Sequence, residues 1–390
     1  MKILFIHHVA DVYGSSRSLL RLSSALIRDG HSVAVVLQED GPLRVALESA
    51  GARIHLVPSL PVLHRSRLTR PTQWYGLLRD VVRSRKALIG IMTRERPNLV
   101  HTNTATILPV SGWCARSLGI PNIQHIRESF LDFGPLWPLY RSLLLANCDR
   151  VLSISQFLAN MFTEKQRNER ITVIHNGLSR EEFEHVPADE VRRFRESFKL
   201  GPLVVGLIGR IKLVRKGQEV FVKAAALLKD EFPDAQFVLV GSPFPGNESH
   251  LDTLRRMITD LGLGDRVIFA GHMSDTRIAL QTFDVSVMAS AQPEPLGNVT
   301  IESMAMGKPV VGTRIGGTPE LVVEGETGFL VPPHDAEAMA GAIGKLLRDP
   351  GLRESMGRAG REHFLQQLEF APFYKGILAS YASVVRSAKT

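Results

Sequence analysis

Two carboxylates eight positions apart, Glu294 and Glu302, bracket the run Glu294-Pro295-Leu296-Gly297-Asn298-Val299-Thr300-Ile301-Glu302. Gly297 lets the backbone approach a ligand closely, and a helix opening near Asn298 would aim free N–H groups at whatever lies ahead of it. Such a helix start suits a diphosphate. Glu302, about one turn in, is placed to reach a ribose hydroxyl, and Glu294, on the loop, to accept hydrogen bonds from sugar hydroxyls. Taken alone, the run reads equally well as a surface loop with a helix-capping carboxylate.

Upstream, Val204-Val205-Gly206-Leu207-Ile208-Gly209-Arg210 reads as a strand running into a Gly–Arg turn, with Lys216-Gly217 just beyond it. The planar fork of an arginine and the point charge of a lysine can clamp phosphates together. Fixed cations there would stabilise the negative charge that builds on a departing diphosphate. Either basic residue by itself is more simply a solvated loop charge. Beside the carboxylate pair, the phosphate reading becomes the stronger one.

The elements that must hold these residues alternate along nearly the whole chain. Short β-branched runs at 2–7, 32–37, 53–57, 99–102, 122–125, 150–154 and 172–175 interleave with helical patterns, and a second series follows at 203–208, 236–240, 266–269, 285–288, 309–313 and 328–331. This is the pattern of α/β architecture with parallel sheets. Leu19, Leu22 and Leu26 recur at helical spacing between the first two strands and stop at Gly30, which makes one right-handed βαβ unit. A length of 390 residues is too great for one ordinary core. Two doubly wound domains are therefore expected: 1–178, then a linker and domain start at 179–202, where Pro187 and Pro202 bracket a charged stretch, then 203–368. A helix over 369–390 closes the chain.

Gly-x-x-Gly-Arg, a Lys-Gly shortly after and Glu-x7-Glu together resemble the C-terminal signature of retaining glycosyltransferase family 4, of the GT-B fold. The runs Ser303-Met304-Ala305-Met306-Gly307-Lys308-Pro309-Val310 and Gly316-Gly317-Thr318-Pro319-Glu320-Leu321-Val322 extend the likeness. The resemblance implies two Rossmann-like domains facing each other across a cleft, with the closing helix crossing back to the first. It implies that Gly209, Arg210 and Lys216 bind the donor diphosphate with backbone N–H groups around Leu296, Gly297, Asn298 and Val299. Glu294 would then hold the transferred sugar, Glu302 the ribose, and the Gly271-His272-Met273 loop the base. Many relatives have five positions between this arginine and its lysine. Here Lys216 lies six after Arg210, so Arg215 is an alternative; the following Gly217 favours Lys216.

In the first half the likeness is looser. The loop Asp11-Val12-Tyr13-Gly14-Ser15-Ser16 stands where relatives carry a Gly-Gly pair, so Gly14 takes the close-approach role while Tyr13 and Ser15 are acceptor-side candidates. Ile120-Pro121-Asn122-Ile123-Gln124-His125 resembles the family strand whose last histidine faces the donor sugar, with Arg127 and Glu128 beside it on the acceptor side. His7, His8, His101 and His175 carry a weaker version of the same signal. The catalytic set implied is His125, Arg210, Lys216 and Glu294. No residue reads as a dedicated general base, and no Asp-x-Asp metal motif is present. The resemblance implies a substrate-assisted, same-face substitution without metal or cofactor, on a hexose-type nucleotide-diphosphate sugar (UDP- or GDP-linked) and a glycan or lipid-linked acceptor.

Composition sets the outer bounds. With 44% hydrophobic and 22% charged residues the chain has the balance of a soluble globular protein, and two cysteines, Cys114 and Cys148, are too few for a disulfide framework. No apolar run reaches the length of a membrane-spanning helix, and the opening Met1-Lys2-Ile3-Leu4-Phe5-Ile6 reads as a buried strand rather than a signal peptide. Cytoplasmic residence is the expectation. The net charge of +8 is concentrated between His64 and Arg96, where Arg79, Arg83 and Lys86 share a helical face. That face reads either as a solvated surface or as a dock for an anionic membrane, with Trp74, Tyr75, Trp137 and Tyr140 as interfacial candidates, although buried core is the better reading of any one of these aromatics. Nucleic acid is not expected, since no recognition module accompanies the charge. A nucleotide-sugar epimerase of similar fold and a non-catalytic nucleotide-sugar-binding scaffold are the rival readings.

Overall fold

A computed structural model describes residues 1–12, 14–63, 73–243 and 246–387. The chain divides into two compact units, Met1–Asn176 with Phe373–Thr390, and Gly177–Pro372. The stretch 179–202, expected as linker and domain start, lies within the second unit, where its helix Ala188–Ser197 buries Phe194 in the core. The helix Phe370–Ser387 begins in that unit, and its residues from Phe373 belong to the first.

The first unit holds seven parallel strands: β1 (Lys2–His7), β2 (Ser32–Leu37), β3 (Arg53–Leu56), β4 (Leu99–Thr102), β5 (Asn122–Ile126), β6 (Arg150–Ser153) and β7 (Ile171–Val173). They lie in the order β3-β2-β1-β4-β5-β6-β7. The second unit repeats the plan with β8 (Leu203–Ile208), β9 (Ala235–Val240), β10 (Val267–Gly271), β11 (Val285–Met288), β12 (Val310–Thr313) and β13 (Gly328–Val331), ordered β10-β9-β8-β11-β12-β13. Each sheet reverses its winding once, between β1 and β4 and between β8 and β11. At such a switch point the loops leaving the strand ends diverge and open a binding crevice.

Both faces of each sheet are covered, so the strands read as continuous apolar runs. Side chains nevertheless alternate between two cores. In the second unit Val205, Leu207, Phe237 and Leu239 enter one cluster, while Val204, Ile208, Val238 and Val240 enter the other. Gly206 is small for a local reason: a Cβ there would stand 2.0 Å from the ring of the buried Phe283. In the first unit Leu4, Ile6, Val36 and Val100 pack against Leu88, Met92 and Cys114 of the helices Trp74–Glu95 and Val110–Ser117. The opposite face carries Phe5 and His101, whose rings lie 5.0 Å apart, with Tyr381 of the closing helix against His101.

Candidate active site

In the second unit the site grows from the two loops at the switch point. Leaving β8, the chain passes Gly209 and Arg210 and makes the short helix Leu213–Lys216, which ends on Gly217 in the left-handed region with φ 65°. A Cβ on Gly217 would fall 1.8 Å from the carbonyl oxygen of Ala289, so only glycine admits the β11 loop at this distance. The amides of Ala291 and Gln292 both donate to the Arg215 carbonyl, at 3.0 and 3.3 Å, and tie the two loops together.

Lys216 is thereby carried across the bare backbone of Gly209, where its Cδ lies 3.7 Å from the place a Cβ would occupy. Its Nζ forms an ion pair with Glu294 Oε1. The Ser290 hydroxyl donates to the same oxygen at 3.0 Å. Glu294 is only 8% exposed. Its loop is seated on Gly316 and Gly317: the Gly317 amide donates to the Glu294 carbonyl at 2.9 Å, and a Cβ on Gly316 would meet that carbonyl oxygen at 2.4 Å. Leu296 is buried as the loop's apolar anchor.

Gly297, with φ 86°, opens the helix Asn298–Ala305 and offers no side chain to cap its first amides. The nearby Thr300 and Thr318 hydroxyls, both buried, have no hydrogen-bond partner among the described residues. One turn along, Glu302 Oε2 accepts from the Thr276 hydroxyl at 3.3 Å, which brings it beside the segment following β10 and Gly271. The structure thus joins Gly209, Lys216 and Glu294 directly, with Gly297 three positions along the Glu294 loop and Glu302 on the helix that it opens. Arg210 presents an exposed side chain from the same loop while its carbonyl accepts from Gln218 at 3.0 Å. Arg215 forms no ion pair with either carboxylate among the described residues; Lys216 does.

In the first unit the switch-point loops and the end of β5 build a buried polar cluster around Arg127. Its Nε donates to Asn103 Oδ1 at 3.2 Å, Nη1 to Asn176 Oδ1 at 2.8 Å, and Nη2 lies 3.3 Å from His125 Nδ1. Asn103 Nδ2 is 3.3 Å from His7 Nδ1, His7 Nε2 is 3.1 Å from the Ser16 hydroxyl, and Ser16 donates to Asp11 at 3.0 Å. On the other side His101 Nε2 stands 3.2 Å from His125 Nδ1, and His101 Nδ1 stands 2.6 Å from the Tyr381 hydroxyl. His125 Nε2 is buried and has no partner among the described residues.

Burial, reinforced by the Arg127 charge, pushes the His101 pKa down to about 3 and holds His125 well below its ordinary value. Both rings are therefore neutral at pH 7. Arg127 itself is lowered to about 10 by burial and stays charged. Burial raises the Glu128 carboxyl to about 7, against the opposing pull of Arg127 and neighbouring backbone N–H groups. Glu128 is thus poised between its charged and neutral forms near neutrality.

Three sequence expectations meet the structure here. Ser15 contributes its backbone carbonyl, which accepts from Asn103; the hydroxyl in the cluster belongs to Ser16, one position on, where the helix Gly14–Arg28 turns inward. Gly14 meets no protein atom where a Cβ would stand, which leaves that side open, and its φ of 37° favours glycine as well. Trp137 and Tyr140 take the core reading rather than the interfacial one: they are buried with Phe130 and Phe162, and their polar atoms donate to the carbonyls of Met161 and Ala105. Tyr13 and the stretch 64–72 lie outside the described residues. Asn103, Ser16 and Tyr381 were missed as site residues, and His101 was noted only as a weaker candidate; the reversal of strand order beside β4 is the signal that would have pointed to Asn103.

Comparison with known proteins places these two sites in a family. The model for "Glycosyl transferase 4-like domain" matches residues 13–177, and that for "Glycosyl transferases group 1" matches residues 189–363. A D-inositol 3-phosphate glycosyltransferase of Mycobacteroides abscessus is 33% identical over 373 residues, 90% of this chain and 81% of that one. A GDP-mannose-dependent α-(1-6)-phosphatidylinositol monomannoside mannosyltransferase of Mycolicibacterium smegmatis is 35% identical over 192 residues, about half of each chain (47% and 48%). Among solved structures, Anabaena HepE in complex with UDP and glucose superposes with a TM-score of 0.81 at 25% identity, covering 98% of this chain and all of that one. The chain belongs to the family-4-type, group 1 glycosyl transferases of the GT-B fold.

Proposed function

We propose that the protein is a retaining hexosyltransferase that uses a UDP- or GDP-linked sugar and a glycan or lipid-linked acceptor, in the building of a cell-surface polysaccharide or glycoconjugate. The observation that carries this reading is the Lys216–Glu294 pair held over Gly209, ahead of the uncapped helix at Gly297. Ser290 and Lys216 both reach Glu294 through Oε1, which leaves Oε2 for a sugar hydroxyl. The lysine ammonium has three donors, so it can serve Glu294 and a phosphate oxygen together. Arg210, the Thr300 and Thr318 hydroxyls and the first amides of the helix supply the rest of a diphosphate cradle. In the reaction, the bond from sugar C1 to the phosphate oxygen breaks and a bond from the acceptor oxygen to C1 forms on the same face. The acceptor proton passes to the leaving phosphate oxygen, and the basic clamp takes the place of a divalent cation. The UDP held by HepE and the GDP-mannose dependence of the mycobacterial relative support the two donor classes.

Calorimetry against UDP, GDP, ADP, CDP and their common sugar conjugates, with EDTA present, tests the donor reading. One nucleotide should bind in the micromolar range, and Arg210→Ala should weaken it about a hundredfold, as expected for loss of a charge-assisted pair. Binding that requires added magnesium or manganese, or that ignores the Arg210 change, would refute the clamp.

For the acceptor side, a cytoplasmic membrane surface is the proposed working place. Among the described residues no helix is long and apolar enough to cross a membrane. The helix Trp74–Glu95 does expose an apolar stripe, Tyr75 at 79%, Leu78 at 63% and Val82 at 61%, beside the exposed Arg79, Arg83 and Lys86. Apolar side chains flanked by basic ones match the boundary of an anionic bilayer. The protein should sediment with phosphatidylglycerol-containing vesicles but not with pure phosphatidylcholine. Charge reversal at Arg79, Arg83 and Lys86 should weaken that binding at least a hundredfold, at about 1 kcal/mol per basic residue. Equal binding to both vesicle types would dismiss the surface.

A further inference from the structure

The buried cluster around His125 has one consistent set of hydrogen-bond directions. A guanidinium can only donate. Arg127 Nη2, at 3.3 Å from His125 Nδ1, therefore makes that nitrogen an acceptor, and the neutral ring must carry its proton on Nε2. His101 Nε2 approaches the same Nδ1 at 3.2 Å and must also donate to it. His101 Nδ1 is then an acceptor, and the Tyr381 hydroxyl at 2.6 Å is its donor. Burial holds the phenol in its protonated form, as that direction requires. The chain of hydrogen bonds ends on His125 Nε2–H, a buried donor with no partner among the described residues. An unpaired buried donor is costly, and a ligand oxygen would relieve that cost.

We propose that Tyr381, acting through His101, is a positioning residue for His125: together with Arg127 it locks His125 as the Nε2–H tautomer. The group then offers a hydrogen bond to a sugar oxygen and has no lone pair at that nitrogen with which to take the acceptor proton. This rests on the reading of His125 as a substrate contact, and it gives the closing helix a function beyond covering the sheet. Tyr381 and His101 are 280 positions apart, and the tyrosine ring stands edge-on to the imidazole at 5.7 Å. The helix delivers one hydroxyl to the far end of the histidine pair. His125 is thereby a hydrogen-bond donor in catalysis, and proton removal falls to the leaving phosphate.

Nitrogen NMR of the full chain labelled with ¹⁵N-histidine reads the tautomer directly, with the His125 signals assigned by their loss in His125→Ala. Wild type should show His125 Nδ1 as a bare, accepting nitrogen and Nε2 as the protonated one at neutral pH. Tyr381→Phe keeps the ring and removes only the hydroxyl; it should mix the two tautomers of His101 and shift His125 Nδ1. Nucleoside diphosphate release from UDP-glucose or GDP-mannose should fall about tenfold in kcat, with KM moved less than about threefold. His101→Gln, whose amide can accept from the phenol and donate to His125, should restore most of the rate that His101→Leu loses. An unchanged His125 spectrum and kcat in Tyr381→Phe, with its melting temperature retained, would overturn the relay. If His125→Ala leaves turnover intact, the substrate-contact reading falls instead, and the Tyr381→Phe spectrum alone decides whether the relay sets the tautomer.

Discussion

Replacing Glu294 by alanine is expected to lower kcat about a thousandfold while the chain stays folded. The change removes the one carboxylate to which both Lys216 and Ser290 are tied. A sugar held by Glu294 loses its orientation, and Lys216 loses the partner that fixes its ammonium against the diphosphate. Effects of residues that act as a unit do not add, so Glu294→Ala combined with Lys216→Ala should cost little more than the worse of the two. Glu294→Gln keeps an acceptor for Ser290 but gives up the charge, and should fall in between, at about a hundredfold. The loop itself does not depend on the side chain: the Gly317 amide bonds the Glu294 carbonyl, and Leu296 is buried beneath it. Circular dichroism and thermal denaturation should therefore change little, apart from the cost of about 1–3 kcal/mol for the buried Ser290 hydroxyl left without its acceptor. Turnover within tenfold of wild type would remove Glu294 from the reacting centre. Wild-type chain that binds a nucleotide sugar yet never turns it over would favour the scaffold reading.

Much of this was legible beforehand because strand formation and local motif spacing are written in short windows. All thirteen strand positions follow from β-branched runs that a doubly covered parallel sheet requires. The second-unit site was legible because Gly209, Lys216, Glu294 and Gly297 sit at strand ends and turn positions with distinctive residue types. What escaped the sequence is long-range. Ser290 reaches Glu294 only because the β11 loop curls over Gly217, and the need for glycine there comes from Ala289, 72 positions away in the chain. Ser15 and Ser16 differ only in which one the first helix turns inward, a matter of about 100° of rotation that a loop reading does not resolve. Trp137 and Tyr140 lie in the core, the better of the two readings the sequence allowed, but which ring partners hold them there is again a long-range matter. Tyr381 carries no local signal at all, because its meaning lies in a histidine from the other end of the chain.

The displaced lysine is the sharpest departure from the family spacing, and it leads to a contrast within one short helix. Lys216→Ala should lower kcat/KM by about a hundred- to a thousandfold, whereas Arg215→Ala should stay within about threefold of wild type. The reason is positional. Arg215 serves the site through its carbonyl, which receives the amides of Ala291 and Gln292, and alanine keeps that carbonyl. Lys216 serves through its ammonium on Glu294 and through a stem that packs on Gly209. Lys216→Met keeps the stem and removes the charge, so it separates the two: loss of rate equal to that of Lys216→Ala would assign the whole effect to the charge. Calorimetry should show the nucleoside diphosphate binding about tenfold more weakly to both variants, a smaller change than the rate loss. That asymmetry is what a cation acting on charge that develops only as the diphosphate leaves requires. If Arg215→Ala proved the more damaging change, the extra residue between Arg210 and Lys216 would have moved the clamp by one position. The ion pair to Glu294 would then be a resting arrangement that the donor replaces.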